Sequence, residues 1–265
     1  MVVIEKSNNI VSSNMENDRS ALEQLIKEKL FSFKEGMDRK TSDLLFDSRT
    51  LKAIYELMGK LDIDYIDYPI STGKESGVFK AYVHGKPIAV KIYKMSTLKF
   101  GKIENYIRGD YRFAKEKLSR GNVVYVWAKK EFTNLVELRK AGVLCPVPIG
   151  FHRNILAMSY IGSKDMSAPI LKDAEFEPEK VFKEVVGMMT KAYRKANIVH
   201  ADLSEYNMLY YRKKVYFIDV GQSVNIKHPS SEIFLRRDIF NVCTFFRKFG
   251  VVSDPLEIYS TIVPA

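Results

Sequence analysis

The spacing of hydrophobic residues changes along the chain and separates a helical beginning from a body of strands. Residues 16–35 carry apolar side chains near helical spacing, and residues 50–59 predict a second helix that ends at Gly59. From Tyr65 the apolar period becomes two, which predicts β-structure. The pattern therefore predicts a small helical extension over residues 1–64, ahead of a larger body.

Three antiparallel strands are predicted after Tyr65, in the segments DYPI, VFKAYV and PIAVKIY. Short turns join them, and the second turn is residues 84–87, HGKP. Alternate side chains of a strand point to opposite faces, so Lys91 lies opposite the apolar Ile88 and Val90. A lysine in so apolar a strand either reaches solvent at a sheet edge or pairs with an anion.

A helix over residues 125–141 supplies a candidate partner for Lys91. Glu131, Leu135 and Leu138 fall on one face of this helix, so the carboxylate stands among apolar side chains. A carboxylate in that position is costly unless it is paired. We therefore expect an ion pair between Lys91 and Glu131.

The pattern beyond this helix predicts two more strands and two long helices. The strands are PVPIGF and ILAMSYIG, around a turn at residues 152–154, and one helix covers residues 178–196 after Pro178. The second helix follows residue 223. Its predicted buried face consists of Ile233, Phe234, Ile239, Phe240, Val242 and Phe245.

The strongest chemical signal is the stretch IVHADLSEYNMLYYRKKVYFIDVGQS at residues 198–223. Asp202 is followed five residues later by Asn207, and Asp219 ends an apolar strand twelve residues after that. An Asp can orient or deprotonate an attacking hydroxyl, while an Asn and a second Asp can hold Mg²⁺ against nucleotide phosphates. Each residue alone also fits a capped turn or a strand end. The joint spacing favours phosphoryl transfer, with Asp202 and Asp219 as catalytic residues and Asn207 and Asp219 as metal ligands.

The turn between the first two predicted strands, residues 71–77, is a candidate phosphate-binding loop. Gly73 allows close approach of the backbone to an anion, and Ser71, Lys74 and Ser76 supply donors. The turn is neither a G-x-G-x-x-G loop nor a Walker A motif. Alone it is a weak signal, because such hairpin turns are common.

The composition is that of an ordinary globular domain. The chain has 265 residues, 46% of them hydrophobic and 28% charged. No apolar segment is long enough to cross a bilayer, and the first residues lack the apolar core of a signal peptide. Cys145 and Cys243 are far apart in sequence and show no metal spacing, so we expect reduced core thiols and a cytoplasmic protein.

Half of the positive charge excess lies in one segment. The net charge is +10, and between Lys94 and Arg120 eight basic residues face three acidic ones. Tyr106, Tyr111 and Phe113 are interleaved, as in segments that stack on bases while contacting phosphates. A nucleic-acid contact and a solvated surface loop are both open interpretations of this segment.

Taken in chain order, these motifs resemble the RIO family of atypical serine/threonine protein kinases, first subfamily, in its short archaeal type. HAD and DVG stand where ordinary protein kinases have HRD and DFG. The resemblance extends over roughly residues 65–245. It is carried by STGKESGVF at 71–79, IAVKIY at 88–93, WAKKEFTNL at 127–135, CPVPIG at 145–150, HADLSEYN at 200–207 and IDVGQSV at 218–224.

The resemblance implies an α+β fold, namely the bilobal protein-kinase-like RIO fold. Its N-lobe, residues 65–161, would be an antiparallel β-sheet with a flexible basic insertion at about 96–124. Its C-lobe, residues 162–265, would be helical and truncated, without an activation segment or peptide-docking helices. The resemblance also implies a serine/threonine kinase and ATPase that uses ATP with Mg²⁺, or with Mn²⁺ as an alternative.

Further nucleotide contacts follow from the resemblance alone. Lys91 would hold the α- and β-phosphates beside Glu131, and Met158 would be the gatekeeper. The backbone of Ser159 and Ile161 would bind the adenine edge. The family role also implies a partner, the small ribosomal subunit precursor and its RNA; the oligomeric state stays undetermined.

The sequence departs from ordinary protein kinases in two ways, and both argue against a general peptide kinase. Only 42 residues follow Ser223, and Ser204 stands where many kinases place a lysine. Both departures match the RIO pattern. The alternatives are a small-molecule phosphotransferase of the aminoglycoside-kinase type, which generally needs a larger helical C-lobe, and a non-catalytic ribosome- or RNA-binding pseudokinase, against which the complete set of site residues argues.

The basic insertion and Asp219 carry two further expectations. Residues 96–124 have dense charge and few aliphatic anchors, so we expect weak packing there, and Ser96 or Ser119 as the autophosphorylated serine. By resemblance, Asp219 is a transient phosphate acceptor as well as a metal ligand.

Overall fold

The computed structural model describes residues 47–95 and 100–264, so the helix predicted at 16–35 lies outside the described residues. The described chain is a mixed α/β structure. In order, its helices and strands are α1 (Ser48–Leu61), β1 (Ile63–Thr72), β2 (Ser76–Val83), β3 (Lys86–Tyr93), α2 (Phe100–Arg108), α3 (Val123–Lys140), β4 (Pro148–His152), β5 (Ile155–Ser159), α4 (Pro178–Ala196), β6 (Ile198–Val199), β7 (Met208–Tyr211), β8 (Lys214–Phe217), β9 (Val224–Asn225), α5 (Ser231–Arg247) and α6 (Pro255–Ile262).

The N-terminal part contains a five-stranded antiparallel sheet in the order β1-β2-β3-β5-β4. The predicted antiparallel strands are thereby confirmed. The turn between β2 and β3 is shorter than predicted, because Lys86 and Pro87 already belong to β3. His84 and Gly85 form it alone, both with positive φ (49° and 70°), as two-residue hairpin turns require.

Helix α1 covers one face of this sheet. Asp47 caps its first turn by accepting the N–H of Thr50 at 2.8 Å. The helix does not end at Gly59 as predicted, but continues to Leu61 because the left-handed residue is Asp62, with φ 51°. The core on this side of the sheet consists of Ala53, Ile54, Leu57, Ile63, Ile66, Phe79, Ala81, Ile88, Val90, Ile92, Ile155 and Ala157.

The opposite face of the sheet packs against α3, and its buried side chains share one core with those of the C-terminal helices. Ala89 and Tyr93 of β3 point into this second, larger core, which confirms the alternation read from the sequence. Helix α4 covers residues 178–196 as predicted, with Pro178 at its first position. The cleft described below lies on this side of the sheet.

The first half of the described insertion packs against the larger core, so the prediction of weak packing is wrong for residues 100–113. Ile103 and Ile107 of α2 are buried in the larger core, as is Phe113. Tyr106 packs between Trp127 and Phe234, which leaves Tyr111 as the exposed ring among the three aromatic residues proposed for base stacking. Residues 96–99, including Ser96, lie outside the described residues.

Helix α5 presents a different buried face from the predicted one. Ile239, Val242 and Phe245 are buried as expected, but Ile233 is 68% exposed and Phe240 is 58% exposed. Apolar residues lie on both sides of this helix, so their spacing alone did not show which stripe faces the core. The buried members are Leu235, Asp238, Ile239, Val242, Cys243, Phe245 and Phe246.

Both cysteines are buried and unpaired, as expected. Burial raises the pKa of the Cys145 thiol to about 12, which keeps it protonated and unreactive. Among the helices of the described residues, none is long and apolar enough to cross a membrane.

Candidate active site

A cleft of about 490 Å³ lies between the five-stranded sheet, α3 and loop segments of the C-terminal part. Its walls come from the β1–β2 turn, β3, α3, β5 and the loops around β7 and β8. Most of the predicted site residues meet there. The lining includes Ser71, Gly73, Ser76, Val78, Ala89, Lys91, Glu131, Met158, Ser159, Ile161, Asn207, Leu209, Ile218 and Asp219.

The predicted ion pair between Lys91 and Glu131 is present at the back of the cleft. The Nζ atom of Lys91 lies 2.8 Å from both carboxylate oxygens of Glu131 and 2.9 Å from Oδ1 of Asp219. The hydroxyl of Tyr93 also donates to Glu131. The side chains of Lys91 and Glu131 are almost wholly buried, while that of Asp219 is 54% exposed towards the cleft.

These contacts shift the pKa values of all three groups. Burial by itself lowers the pKa of Lys91, but Asp219 and Glu131 outweigh it and raise that pKa above its ordinary value. The Lys91 ammonium lowers the pKa of Asp219, whereas burial raises the pKa of Glu131 against the same cation. The ammonium is therefore held charged between two carboxylates, one of which faces the cleft.

Asp219 reaches the cleft through an unusual backbone conformation. It has φ 57° and ψ 51°, the left-handed region, directly before a short 3₁₀ turn at Val220–Gln222. This conformation costs a residue with a Cβ atom about 1–2 kcal/mol, although Asp tolerates it better than most. The strain is retained where β8 ends, and it turns the carboxylate towards Lys91.

The loop at residues 200–207 is held from below by a buried carboxylate that sequence reasoning missed. Asp238 of α5 accepts the N–H groups of Ala201 at 2.8 Å and Leu203 at 2.9 Å. Burial raises the pKa of Asp238 to about 7, against the lowering effect of these two donors. The sequence signal for this contact was an acidic residue, Asp238, among the apolar residues on the buried side of α5.

Asp202 lies between the amide groups of Asn207 and Gln222. The Nδ2 atom of Asn207 donates to the Asp202 carbonyl at 2.7 Å and to its Oδ2 atom at 3.3 Å. Gln222, which the sequence analysis did not single out, donates to the same Oδ2 atom at 3.0 Å. Asp202 is not among the residues that line the cleft, and these amides connect it to the Asn207 and Asp219 side of the site.

His200 joins the Asp202 loop to the strand that precedes Asp219. Its Nε2 atom donates to the carbonyl of Ile218 at 3.1 Å. Burial lowers the pKa of His200 to about 4, so the ring is neutral at physiological pH. We assign it a structural role rather than a proton-transfer role.

The β1–β2 turn reaches the cleft through three of the four residues that were predicted to bind phosphate. Ser71, Gly73 and Ser76 line the cleft, whereas Lys74 is exposed and is not among the lining residues. Lys94, which the sequence analysis missed, donates to the Gly73 carbonyl at 2.8 Å and holds the turn from beneath.

The far end of the cleft is apolar and has main-chain polar groups at its rim. Met158 of β5 stands there, with Val78, Ala89 and Leu209 among the other lining residues. The N–H of Ser159 donates to the Val147 carbonyl at 2.8 Å. An apolar lining of this kind suits a flat ring such as a purine.

Asn207 and Asp219 together suit a hard divalent cation. Mg²⁺ takes oxygen ligands and commonly uses one or two protein groups, with substrate phosphates and water filling the remaining positions. No cluster of three or more His, Cys, Asp or Glu residues suited to a metal occurs within residues 47–95 and 100–264. The site would therefore depend on phosphates to complete the coordination.

The sheet, the Lys–Glu pair and the Asp, Asn and Asp set define the protein-kinase-like class of phosphotransferases. The sequence model of the RIO domain matches residues 77–258. The chain therefore belongs to the RIO family of serine/threonine-protein kinases.

Individual relatives agree. The chain is 53% identical over 181 residues to RIO-type serine/threonine-protein kinase Rio1 of Thermoplasma acidophilum, covering 68% of this chain and 96% of that protein. It is 40% identical over 229 residues to Serine/threonine-protein kinase RIO1 of Homo sapiens, covering 84% of this chain but 40% of the human protein. The chain thus spans less than half the length of the human relative.

A solved structure supports the fold. The Rio2 kinase of Chaetomium thermophilum, in a complex with ADP, Mg²⁺ and phosphoaspartate, matches with a TM-score of 0.62 and 22% identity, over 80% of this chain and 66% of that chain. At this identity the likeness concerns the fold alone. It confirms the predicted protein-kinase-like RIO fold.

Proposed function

We propose that this chain is a Mg²⁺-dependent serine kinase and ATPase that transfers the γ-phosphoryl group of ATP to a serine hydroxyl or to water. The observation that carries the proposal is the contact of Lys91 with both Glu131 and Asp219 beneath the β1–β2 turn. One cation and one half-exposed carboxylate thus lie together in the cleft, and this supports a role in neutralising triphosphate charge. The supporting metal is Mg²⁺, with Mn²⁺ as an alternative.

Each residue has a defined task in this reaction. Lys91 holds the α- and β-phosphates, and Asn207 and Asp219 supply oxygens for the metal, which neutralises charge on the phosphates when bound. Asp202 orients the attacking hydroxyl and accepts its proton. The hydroxyls of Ser71 and Ser76 and the close backbone at Gly73 cover the phosphates, and the backbone of Ser159 and Ile161 receives the adenine edge.

Substitution of Asn207 by alanine tests the metal assignment. We expect a loss of Mg²⁺-dependent ATP turnover of about 100-fold or more, because a preorganised group at the phosphates is removed. Asn122→Ala is the matched control, since that amide contacts only its own loop, at Lys117 and Ser119. Turnover of Asn207→Ala at the wild-type rate, over a Mg²⁺ titration, would show that Asn207 is not a metal ligand.

We further propose that Asp219 accepts the phosphoryl group transiently. Its carboxylate oxygen would attack the γ-phosphorus, the bond to the bridging oxygen of the β-phosphate would break, and ADP would leave; water would then cleave the acyl phosphate to inorganic phosphate. The 54% exposure of Asp219 towards the cleft supports this role.

The acyl phosphate makes a direct chemical prediction. Enzyme trapped during turnover with γ-labelled ATP should carry label that hydroxylamine removes, because hydroxylamine cleaves acyl phosphates and leaves phosphoserine intact. Asp219→Asn should carry no such label. Label that is wholly resistant to hydroxylamine would restrict Asp219 to metal binding.

For the cellular role we propose maturation of the small ribosomal subunit in the cytoplasm, with ATP hydrolysis as a timer for release from the precursor particle. The positive charge between Lys94 and Arg120 supports contact with a polyanion such as ribosomal RNA. Ser119 stays a candidate for autophosphorylation, as does Ser96. The proposed units are the extension 1–64, the N-lobe 65–161 and the C-lobe 162–265.

A further inference from the structure

A second set of contacts holds the segment that follows Asp219, on the side away from the cleft. We define the metal loop as residues 219–223. Helix α3 carries Glu131 on one side and two further polar residues, Lys130 and Asn134, that are fully buried. Neither is explained by the reaction described above, and burying polar groups costs free energy unless they have partners.

The partners of both side chains are carbonyl oxygens of the metal loop. The Nζ atom of Lys130 donates to Gly221 at 3.0 Å and also to Ser223. The Nδ2 atom of Asn134 donates to Val220 at 2.7 Å and to Ser223 at 3.0 Å. Two side chains of one helix thus bind three carbonyl groups of the metal loop, those of Val220, Gly221 and Ser223.

The fit leaves no room for movement of the loop towards the helix. A Cβ atom at Gly221 would lie 3.1 Å from an oxygen of Glu131 and 3.1 Å from the ring of Trp127. The helix therefore binds Asp219 indirectly from one side, through Lys130 and Asn134, and Lys91 contacts it directly from the other.

The same contacts continue into the basic insertion. Arg112 donates to Oδ1 of Asn134 at 2.8 Å and forms a two-point ion pair with Asp110, at 2.9 and 2.6 Å. Asp110 is fully buried, and it also accepts the N–H of Asn225 at 3.3 Å, just after the metal loop. A segment that carries much of the positive charge is thereby joined to the loop that bears the metal ligand.

We propose that Lys130 and Asn134 are positioning residues that hold the metal loop so that Asp219 faces the phosphates, and that Asp110 and Arg112 extend this restraint into the basic insertion. The proposal rests on the metal role of Asp219 proposed above. It predicts that the response to Mg²⁺ depends on residues that touch neither nucleotide nor metal.

Two neighbouring lysines of α3 provide a matched test. Lys130→Met removes the donors to Gly221 and Ser223 while keeping an unbranched side chain of similar length. Lys129→Met removes only a surface ion pair with Glu116, at 2.6 Å. We expect Lys130→Met to raise the half-saturating Mg²⁺ concentration for ADP binding by about 10- to 100-fold, the range for residues that orient metal ligands. Lys129→Met should leave it unchanged.

The Asn134→Asp variant distinguishes the contact of Asn134 with Arg112 from its contacts with the metal loop. The carboxylate keeps a partner for Arg112, but it turns an oxygen towards the carbonyls of Val220 and Ser223. It should therefore raise the Mg²⁺ requirement in the same direction as Lys130→Met. Arg112→Gln should give a smaller shift, and its effect should not add to that of Asn134→Asp, because the two residues are in contact.

Amide hydrogen exchange at residues 219–223 provides a readout that does not depend on activity. Exchange should be faster in Lys130→Met and Asn134→Asp than in Lys129→Met, without nucleotide present. Wild-type exchange and wild-type Mg²⁺ response in both variants would overturn the proposal, as would a lowered melting temperature with neither change. If the wild-type protein bound Mg²⁺ and ADP but transferred no phosphate, the proposed function would fail while these two measurements still decided this inference.

Discussion

Asp202→Ala is expected to lower phosphoryl transfer by about 10²- to 10⁴-fold, the usual contribution of a positioned general base. Nucleotide binding should change little, because Asp202 is not part of the cleft lining. Its carboxylate accepts from the amides of Asn207 and Gln222, which hold it near the metal side of the site. Single-turnover transfer and ATP affinity, measured on the same preparation, separate the two effects.

The matched control for this variant is Glu205→Gln. Glu205 is a carboxylate of the same loop, but its nearest cation is Lys248, at 3.8 Å, and it does not line the cleft. Glu205→Gln should therefore turn over at close to the wild-type rate. Equal losses in both variants would indicate damage to the loop rather than removal of a base.

The cellular consequence of Asp202→Ala follows from the proposed timer. If hydrolysis releases the protein from the precursor particle, a variant that binds ATP without hydrolysing it should accumulate on small-subunit precursors. Sedimentation of cell extracts, with detection of the protein across the gradient, would show this. An Asp202→Ala protein distributed like the wild type would argue against release by hydrolysis.

Lys91→Met is the second large expected effect, and it acts on both activity and stability. Activity should fall because the phosphates lose their cation. Stability should fall by about 3–5 kcal/mol, because Glu131 would remain buried without its partner. Both side chains of this pair are at most 5% exposed, so solvent gives little compensation. Denaturant unfolding at neutral pH measures the loss.

The double variant Lys91→Met with Glu131→Gln distinguishes the two effects. Removing the buried carboxylate together with the lysine should restore much of the stability, since a neutral pair leaves no buried charge unpaired. It should not restore phosphoryl transfer. Recovery of activity in the double variant would contradict the role of Lys91 at the phosphates.

The stability difference between wild type and Lys91→Met should also depend on pH. Lys91 lowers the pKa of Asp219 from its ordinary value of 3.8, so its stabilising contribution is present above that value. The contribution is lost as pH falls through the lower folded value. Glu131, whose pKa burial raises, becomes neutral earlier and then needs no cation. The difference should therefore be largest at neutral pH and shrink in acid.

The local sequence pattern was enough to predict those site residues that are charged and lie on apolar faces of a strand or helix. Lys91 interrupts an alternating strand and Glu131 interrupts the apolar stripe of a helix. Since a buried charge requires a partner of opposite charge, each of these two residues was the expected partner of the other. In the structure, Nζ of Lys91 lies 2.8 Å from Oε1 of Glu131. The spacing of Asp202, Asn207 and Asp219 reflects a loop followed by the β7–β8 hairpin, and it was equally readable.

The spacing of residues in the sequence did not predict the side chains that act by binding main-chain groups. Asp238 binds the N–H of Ala201 from 37 positions away in sequence, and Asn134 binds the carbonyl of Val220 from 86 positions away. Their partners carry no side-chain signature, because every residue has the same N–H and C=O groups. A buried Asp or Asn in a helix shows that a partner exists without showing which one.

By itself, the sequence determined the strands of the five-stranded sheet, the helices α1, α3, α4 and α5, the family and the charged residues at the centre of the site, because period, spacing and the cost of buried charge are local properties. The tertiary structure decided which side of each helix, strand or turn is buried and which is exposed. It buried Ile103 and Ile107 within a highly charged segment, exposed Ile233 and Phe240, and left Lys74 outside the lining of the cleft. These outcomes depend on which surfaces meet in three dimensions, and close packing selects one stripe where the sequence offers several.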